Sequence, residues 1–277
     1  MNTFGVEKAT VIRYPSTANL MVDSADRNET VNPSAWDFQI VKPQSTMNGF
    51  FSRIGTTEVV LEWAEPNIVE GTITLDISGA TTRTQVPFTI YNTFFNVATL
   101  LSEMVVAFSG TNGVTFTVSS IAGQAGLNAA GGKFRVISTP LALQLGIDLS
   151  TNLDTRKQIT GVPDLRLYRY LDFVSPQITY AQDLKDNSTA PINKDVLCRW
   201  YMAEDSQEAY DSLGYPILMG YEPFVRRRLY NPPKQIKWDN NLQLGNLSFQ
   251  VYDEDGDQLP QSNPKSNFLM TLQFSEN

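Results

Sequence analysis

The sequence predicts a mainly β protein, a single jelly-roll β-sandwich carrying a small α+β insertion. Three observations predict it. Short runs with period-two alternation are bounded by Asn, Pro, Ser and Gly rather than by helices, which is the pattern of a sandwich or barrel. One strongly one-sided helix, flanked by strands of its own, interrupts that pattern in the first half of the chain. Outside the interruption about eight to ten strand-like runs remain, the number that a two-sheet jelly roll requires.

From the N-terminus, strands are expected at Leu20–Val22, Trp36–Val41 and Glu58–Trp63. Asn28, Asn32 and Pro33 cannot continue a central strand, so they mark a loop. Val59, Leu61 and Trp63 alternate with Val60, Glu62 and Ala64, giving that strand one mainly apolar face. After Pro66 the runs 72–77 and 86–90 alternate as a hairpin across Ser78–Thr84. Val97, Leu100, Leu101, Met104, Val105 and Phe108 then fall on one helical stripe, with Asn96 as N-cap and Gly110 as stop. Strands at Val114–Ser119 and Lys133–Ser138 follow, joined by a Gly/Ala-rich stretch, Ala122–Gly132, that reads as a flexible loop. Thr139, Pro140 and Gly146 bracket a short helix over Leu141–Leu145. Residues 67–160 are therefore assigned to the insertion, and 1–66 with 161–277 to the jelly roll, residues 1–17 being an N-terminal arm.

The β pattern resumes at Leu165–Val174, Ile178–Ala181 and Val196–Met202. Asp205 and Glu208 stand at capping-box spacing, which predicts a brief helix over Asp205–Ser212. Further strands are expected at Pro216–Met219, Gln235–Trp238, Leu247–Tyr252 and Phe268–Phe274, with a turn at Asp255-Gly256.

Composition removes much enzyme chemistry. The 277 residues include no histidine and one cysteine, so a Ser-His-Asp triad, a Cys-His pair, a His-ligated zinc and a proximal-His haem are excluded. Cys198 alone forms neither an intrachain disulfide nor a zinc finger, and it reads as a small core residue. Hydrophobic residues at 42% against 18% charged argue for a folded chain, and a net charge of −8 is too acidic for general nucleic-acid binding. No run approaches the roughly 18 apolar residues of a membrane span. Glu7 and Lys8 stand where a signal peptide needs its apolar segment, so the protein is expected to be made inside the cell without one. The sequons at Asn28, Asn187 and Asn246 are then silent.

Asp253-Glu254-Asp255-Gly256-Asp257 is the densest carboxylate cluster, but glycine is fourth rather than sixth and the twelfth position is Pro264. It reads as an acidic hairpin turn, not a calcium loop, and no metal or cofactor is expected. Glu62, Glu65, Asp172 and Glu222 are candidate carboxylates for a glycosidase, yet nothing in the sequence pairs them. The only basic concentration is Arg226-Arg227-Arg228, with Lys234 and Lys237 near and Tyr221, Phe224, Tyr230 and Trp238 interleaved. That mixture suits single-stranded nucleic acid and also protein interfaces, and in an acidic chain the interface reading is preferred. Its bland alternative is a solvated loop between strands. Arg226, Arg227, Arg228, Tyr230 and Trp238 are therefore the candidate subunit-interface residues.

Two ends of the chain carry a resemblance. Asp23-Ser24-Ala25-Asp26-Arg27-Asn28, then Asn32-Pro33 and Trp36-Asp37-Phe38-Gln39-Ile40, resembles the opening of capsid proteins of double-stranded DNA viruses, especially virophages, Polinton-like viruses and larger relatives. Phe249-Gln250-Val251-Tyr252-Asp253, Asp255-Gly256 and Asn267–Phe274 are similar to the closing hairpin of their minor capsid, or penton, proteins. Val86–Ile90, the helix after Asn96 and Leu143–Ile147 look like the inserted domain that several of these proteins carry. Ala25 departs from the pattern, since arginine is frequent there. The resemblance implies a jelly-roll penton that forms homopentamers at the vertices of an icosahedral capsid and contacts the major capsid protein. It would reside in the virion, with the insertion outward and available to a host receptor or glycan. From the residues themselves, Asp23, Ser24 and Asp26 can accept from backbone N–H groups and pair with Arg27, fixing a turn before Trp36. A carbohydrate-binding or fibre-like attachment module, and a histidine-free glycoside hydrolase, stay open beside this reading.

Overall fold

The computed structural model describes residues 17–41, 51–179, 196–202, 209–237, 246–261 and 263–276. Along them run β1 (Thr17–Asp23), β2 (Asp37–Val41), β3 (Arg53–Trp63), β4 (Ile68–Ser78), β5 (Arg83–Thr93) and α1 (Val97–Phe108). There follow β6 (Thr115–Ile121), β7 (Gln124–Ala130), β8 (Lys133–Ile137), α2 (Pro140–Leu145), β9 (Arg156–Gln158), β10 (Tyr170–Val174) and α3 (Pro176–Thr179). The last are β11 (Val196–Tyr201), β12 (Phe224–Leu229), β13 (Ile236–Lys237), β14 (Asn246–Tyr252) and β15 (Asn267–Ser275).

Two antiparallel sheets build the sandwich. One has the order β1-β15-β3-β12, with β13 also on β3, and the other β11-β10-β14-β2. Setting β13 aside and counting these strands in chain order, the first sheet runs first, eighth, third, sixth and the second runs fifth, fourth, seventh, second. That order is the double Greek key of a jelly roll. Each inner face comes from alternation: Phe268, Met270, Leu272 and Phe274 are buried on β15, and Leu247, Phe249 and Val251 on β14. On β3 the phase changes midway. Ile54 and Thr56 are buried, then Val59, Leu61 and Trp63, because the pairing with β15 steps from Thr271↔Glu58 to Leu272↔Thr56 and leaves Thr57 as a bulge.

The sandwich core is aromatic. Trp36 lies 5.8 Å from Trp63 and 6.2 Å from Phe268, ring to ring, and Phe173 stands edge-on to Phe268 at 4.9 Å. A buried indole needs an acceptor, and Trp36 Nε1 donates to Glu65 Oε1 at 3.3 Å. The other carboxylate oxygen of Glu65 accepts from the Asn263 backbone N–H at 3.1 Å. The opening motif works as a clasp between distant strands. Asp23 Oδ1 accepts from Ala25 N at 2.8 Å, and the fully buried Ser24 accepts through Oγ from Phe268 N at 2.7 Å. Arg27 donates to the Ser24 carbonyl at 2.8 Å and to Asn267 Oδ1 at 3.1 Å, with Glu29 3.6 Å away.

A second hydrophobic cluster forms between Ile68 and Leu165. Sheets β5-β4-β8 and β6-β7-β9 supply buried residues such as Leu75, Ile77, Phe116 and Phe134, and α1 adds Leu100, Leu101, Met104 and Phe108. The helix begins with a reciprocal capping box between Asn96 and Thr99, and α2 has Thr139 as cap, Pro140 at its start and Gly146 at φ 68° as its stop. Asp76 is buried between Arg83 and Arg135, which donate to it at 2.6–2.9 Å. The same cluster takes in Tyr221 and half-buried Leu213, Tyr215, Ile217 and Leu218. Asp211 Oδ2 accepts from Ala98 N at 2.9 Å, placing a carboxylate in the first turn of α1.

Several sequence expectations are corrected. Ala122–Gly132 is not a loop: Ala122 and Gly123, both at positive φ, make a two-residue turn, and Gln124–Ala130 forms β7. Its small residues serve close approach, since a Cβ on Gly126 would lie 2.2 Å from the Lys157 carbonyl oxygen. Leu165–Val174 is strand only from Tyr170, because Arg166 is held locally by Asp164 through two hydrogen bonds of 2.7 and 2.8 Å. Ile178 and Thr179 end a helical turn, both amides bonding to the Ser175 carbonyl at 3.0 Å, whereas Tyr180 and Ala181 lie outside the described residues. Pro216–Met219 contributes one bridge, Tyr210↔Pro216, and no strand. Residues 209–212 are not helical, as Asp211 Oδ1 instead closes a turn through the amides of Leu213 and Tyr215. Asp205–Glu208, Asn187 and residues 1–16 of the arm are outside the described residues. Among those described, no helix is long and apolar enough to cross a membrane.

Removing the Ser24 hydroxyl leaves the Phe268 amide buried without its acceptor. Ser24→Ala is expected to cost about 1–3 kcal/mol, read as a lower urea midpoint. The hydrogen bond from Arg83, foremost, holds the Asp76 carboxyl below its ordinary 3.8. The stability this adds is full at neutral pH, fades as pH falls below 3.8, and is gone below the folded-state value. Acid titration of Asp76→Asn should therefore show a flatter loss of stability in that range than the parent, from a lower starting stability.

Candidate assembly surface

The sandwich has two sides where the sheets' edge strands come together, β1 with β2 and β11 with β12. The Arg226-Arg227-Arg228 run lies on the second, within β12, so it is a strand and not a solvated loop. β12 pairs with β3 from Phe224↔Trp63 to Leu229↔Glu58. Phe224 and Tyr230 pack against the core, while Val225 and Leu229 are 63% and 62% exposed on the outer face. Arg227 shares that face, and its Nε donates to Glu58 Oε1. Arg226 and Arg228 alternate with it, half-buried.

Arg228 and Tyr230 belong to a seam that joins the sheets. The Arg228 guanidinium lies 5.8 Å from the Tyr201 ring and 5.2 Å from the Tyr230 ring. Tyr230 Oη donates to the Arg199 carbonyl at 3.0 Å, and Lys234 Nζ donates to the Val196 carbonyl at 2.7 Å. Both carbonyls are on β11. Arg199 is the hub that sequence reasoning missed: it meets Asp172 in two hydrogen bonds of 2.7 and 2.8 Å and stacks 3.9 Å over Tyr170. Donation to the Asp172 carboxylate pushes its already high pKa further up. The signal was the alternation Leu197, Arg199, Tyr201 against Val196, Cys198, Trp200, whose polar members had no visible partners. Trp238, the fifth candidate, lies outside the described residues.

Two of the carboxylate candidates, Glu65 and Asp172, have structural duties. Glu65 caps Trp36 and Asn263, Asp172 holds Arg199, and Glu62 and Glu222 are exposed. In the acidic turn Asp253 Oδ1 accepts from the amides of Asp255 and Asp257 at 3.1 and 2.8 Å. Among the described residues no three His, Cys, Asp or Glu side chains converge on a metal position. Cys198 is buried, and burial pushes its thiol up to about 12.

The class that these observations define is an eight-stranded jelly roll with one α+β elaboration between its third and fourth strands. No protein-family model matches the chain, and no curated protein matches it in sequence. In fold it is similar to the mavirus penton protein, with a TM-score of 0.51 and 8% identity over 95% of this chain and 100% of that one. A chain from the cryo-EM structure of the Sputnik virophage aligns at a TM-score of 0.47 and 11% identity, over 94% of this chain and 98% of that one.

Two measurements check the seam and the thiol. Tyr230→Phe keeps the ring against Arg228 but removes the bond to Arg199, and should cost about 1 kcal/mol in urea unfolding. Cys198 should stay unreactive toward a thiol reagent at pH 8 in the native protein and react fully in denaturant.

Proposed function

We propose that this chain is a structural protein of a viral capsid, a penton whose five copies form a ring at each vertex of an icosahedral shell. The observation that carries the reading is the jelly-roll strand order together with end-to-end similarity to the mavirus penton protein, elaboration included. The division of labour follows the two hydrophobic clusters. The sandwich, residues 1–66 and 161–277 apart from Leu165 and the 213–221 stretch that packs into the second cluster, makes the shell contacts. The unit at 67–160 projects outward, where it is placed to meet a receptor or glycan.

Assembly is the whole mechanism, and no bond is made or broken. Two of the four carboxylates that an enzyme reading needed, Glu65 and Asp172, are tied to Trp36, Asn263 and Arg199, which supports a non-catalytic protein. Arg226, Arg227, Arg228, Tyr230 and Trp238 belong to the lateral surface between copies. Partners are other copies of the chain and the major capsid protein at the rim, and the location is the virion.

Light scattering on the purified chain should return five times 30.9 kDa, and density for the chain should sit on fivefold axes of the particle. A stable monomer that binds glycan and is absent from the vertices would overturn the reading.

A further inference from the structure

A ring that closes by rotation uses two different patches on every subunit, one meeting the other on the next copy. Among the described residues, every large apolar side chain that the sandwich strands and their connecting 24–36 loop leave exposed lies on one of its two sides. Met21, Val31 and Val41 are 66%, 72% and 65% exposed on the β1/β2 side, and Tyr201, Val225 and Leu229 are 39%, 63% and 62% exposed on the β11/β12 side. Exposed apolar residues concentrated this way mark contact surfaces.

The two sides also differ in sign and shape. A groove of about 500 Å³ opens on the β1/β2 side, lined by Met21, Val31, Ile40 and Val41 with Asp23, Asp26 and Arg27, the last with its side chain 3% exposed and held by the Ser24 carbonyl and Asn267. At the opposite edge stands the β12 strand, whose outer face carries Val225, Arg227 and Leu229.

Register relates strand to groove. Across the first sheet Arg227, Val60, Leu269 and Asp23 stand in one row, and Leu229, Glu58, Thr271 and Met21 stand in another. Each row therefore ends in a basic or apolar residue at one edge and its complement at the other. Rotation about an axis along the strands brings residues of equal height together, so Arg227 meets Asp23 and Leu229 meets Met21 of the neighbour.

We infer that the β1/β2 groove is the receptor for the β12 strand of the adjacent copy, a head-to-tail joint between Val225, Arg227 and Leu229 on one subunit and Met21, Asp23 and Asp26 on the next. This rests on the ring reading above. The acidic, apolar groove fits a second copy because the same chain carries the complementary basic, apolar strand.

The test uses thiols, since Cys198 is buried. In the full chain, Met21→Cys with Leu229→Cys, treated with a short bismaleimide, should give a ladder on denaturing gels that ends at the ring number. Each single variant should give no ladder. Separately, Asp23→Arg and Arg227→Glu should each lower the oligomer fraction in light scattering several-fold, and the double variant should restore it, since the pair that register brings together again carries opposite charges. A ring of the expected mass without a ladder would overturn this joint and leave the capsid reading standing. A dimer from Leu229→Cys alone would also overturn it, by showing a face that meets itself. A persistent monomer with no ladder would sink the joint and the ring together, and its mass separates that outcome from the first.

Discussion

The hydrogen bond from Trp36 to Glu65 is the constraint on which the sandwich depends. A tryptophan with no exposed surface must place its indole N–H, and a buried carboxylate must collect donors. Here each solves the other's problem, and the Asn263 amide adds a second donor to Glu65. The three residues come from the approach to β2, the exit of β3 and the approach to β15, strands of both sheets. Fixing them fixes how the sheets face one another. Phe268, one step into β15, is then delivered onto Trp36 and Phe173, and its amide onto Ser24.

What was readable in the chain was local. The α1 stripe and its Asn96 and Thr99 cap, the Thr139-Pro140 start and Gly146 stop of α2, and the alternation of β14 and β15 depend on neighbours a few residues away. β7 was hidden because Ala125, Gly126 and Ala129 carry too little side chain to show a period, and small size looks the same whether it serves flexibility or close packing. β12 was hidden because three successive arginines erase alternation, although the backbone still alternates beneath them. The 209–221 segment reads as strand and helix until the second core claims Tyr221, Leu213 and Ile217. Of the assembly surface, composition disclosed the arginine run but not Arg199 or the β1/β2 groove. Those depend on which edges lie side by side, and that is a property of topology.

The two sides of the sandwich manage their strand edges differently. On β11 the carbonyls of Arg199 and Val196 accept from Tyr230 and Lys234, so side chains occupy positions that an added strand would use. The seam thus joins the sheets and blunts an edge at once. The β1/β2 side instead carries a groove lined by apolar and charged residues together. The chain therefore presents two unlike flanks, one with side chains set against a strand edge and one with a groove.

The bulge at Thr57 has a meaning for how this protein can vary. The side-chain phase of β3 is reset at that residue, so its two halves are correct only because one position is uncounted in the pairing. Loss of Thr57 alone would leave Thr56 beside Glu58 in an unbroken ladder with Ile54 and Thr56 still facing inward, so what would go is the bulge and its added twist, not the phase. What the extra residue supplies is a local bend and two contacts of its own, a carbonyl that accepts from the Tyr230 amide at 2.9 Å and a hydroxyl that donates to the Thr271 carbonyl at 3.2 Å.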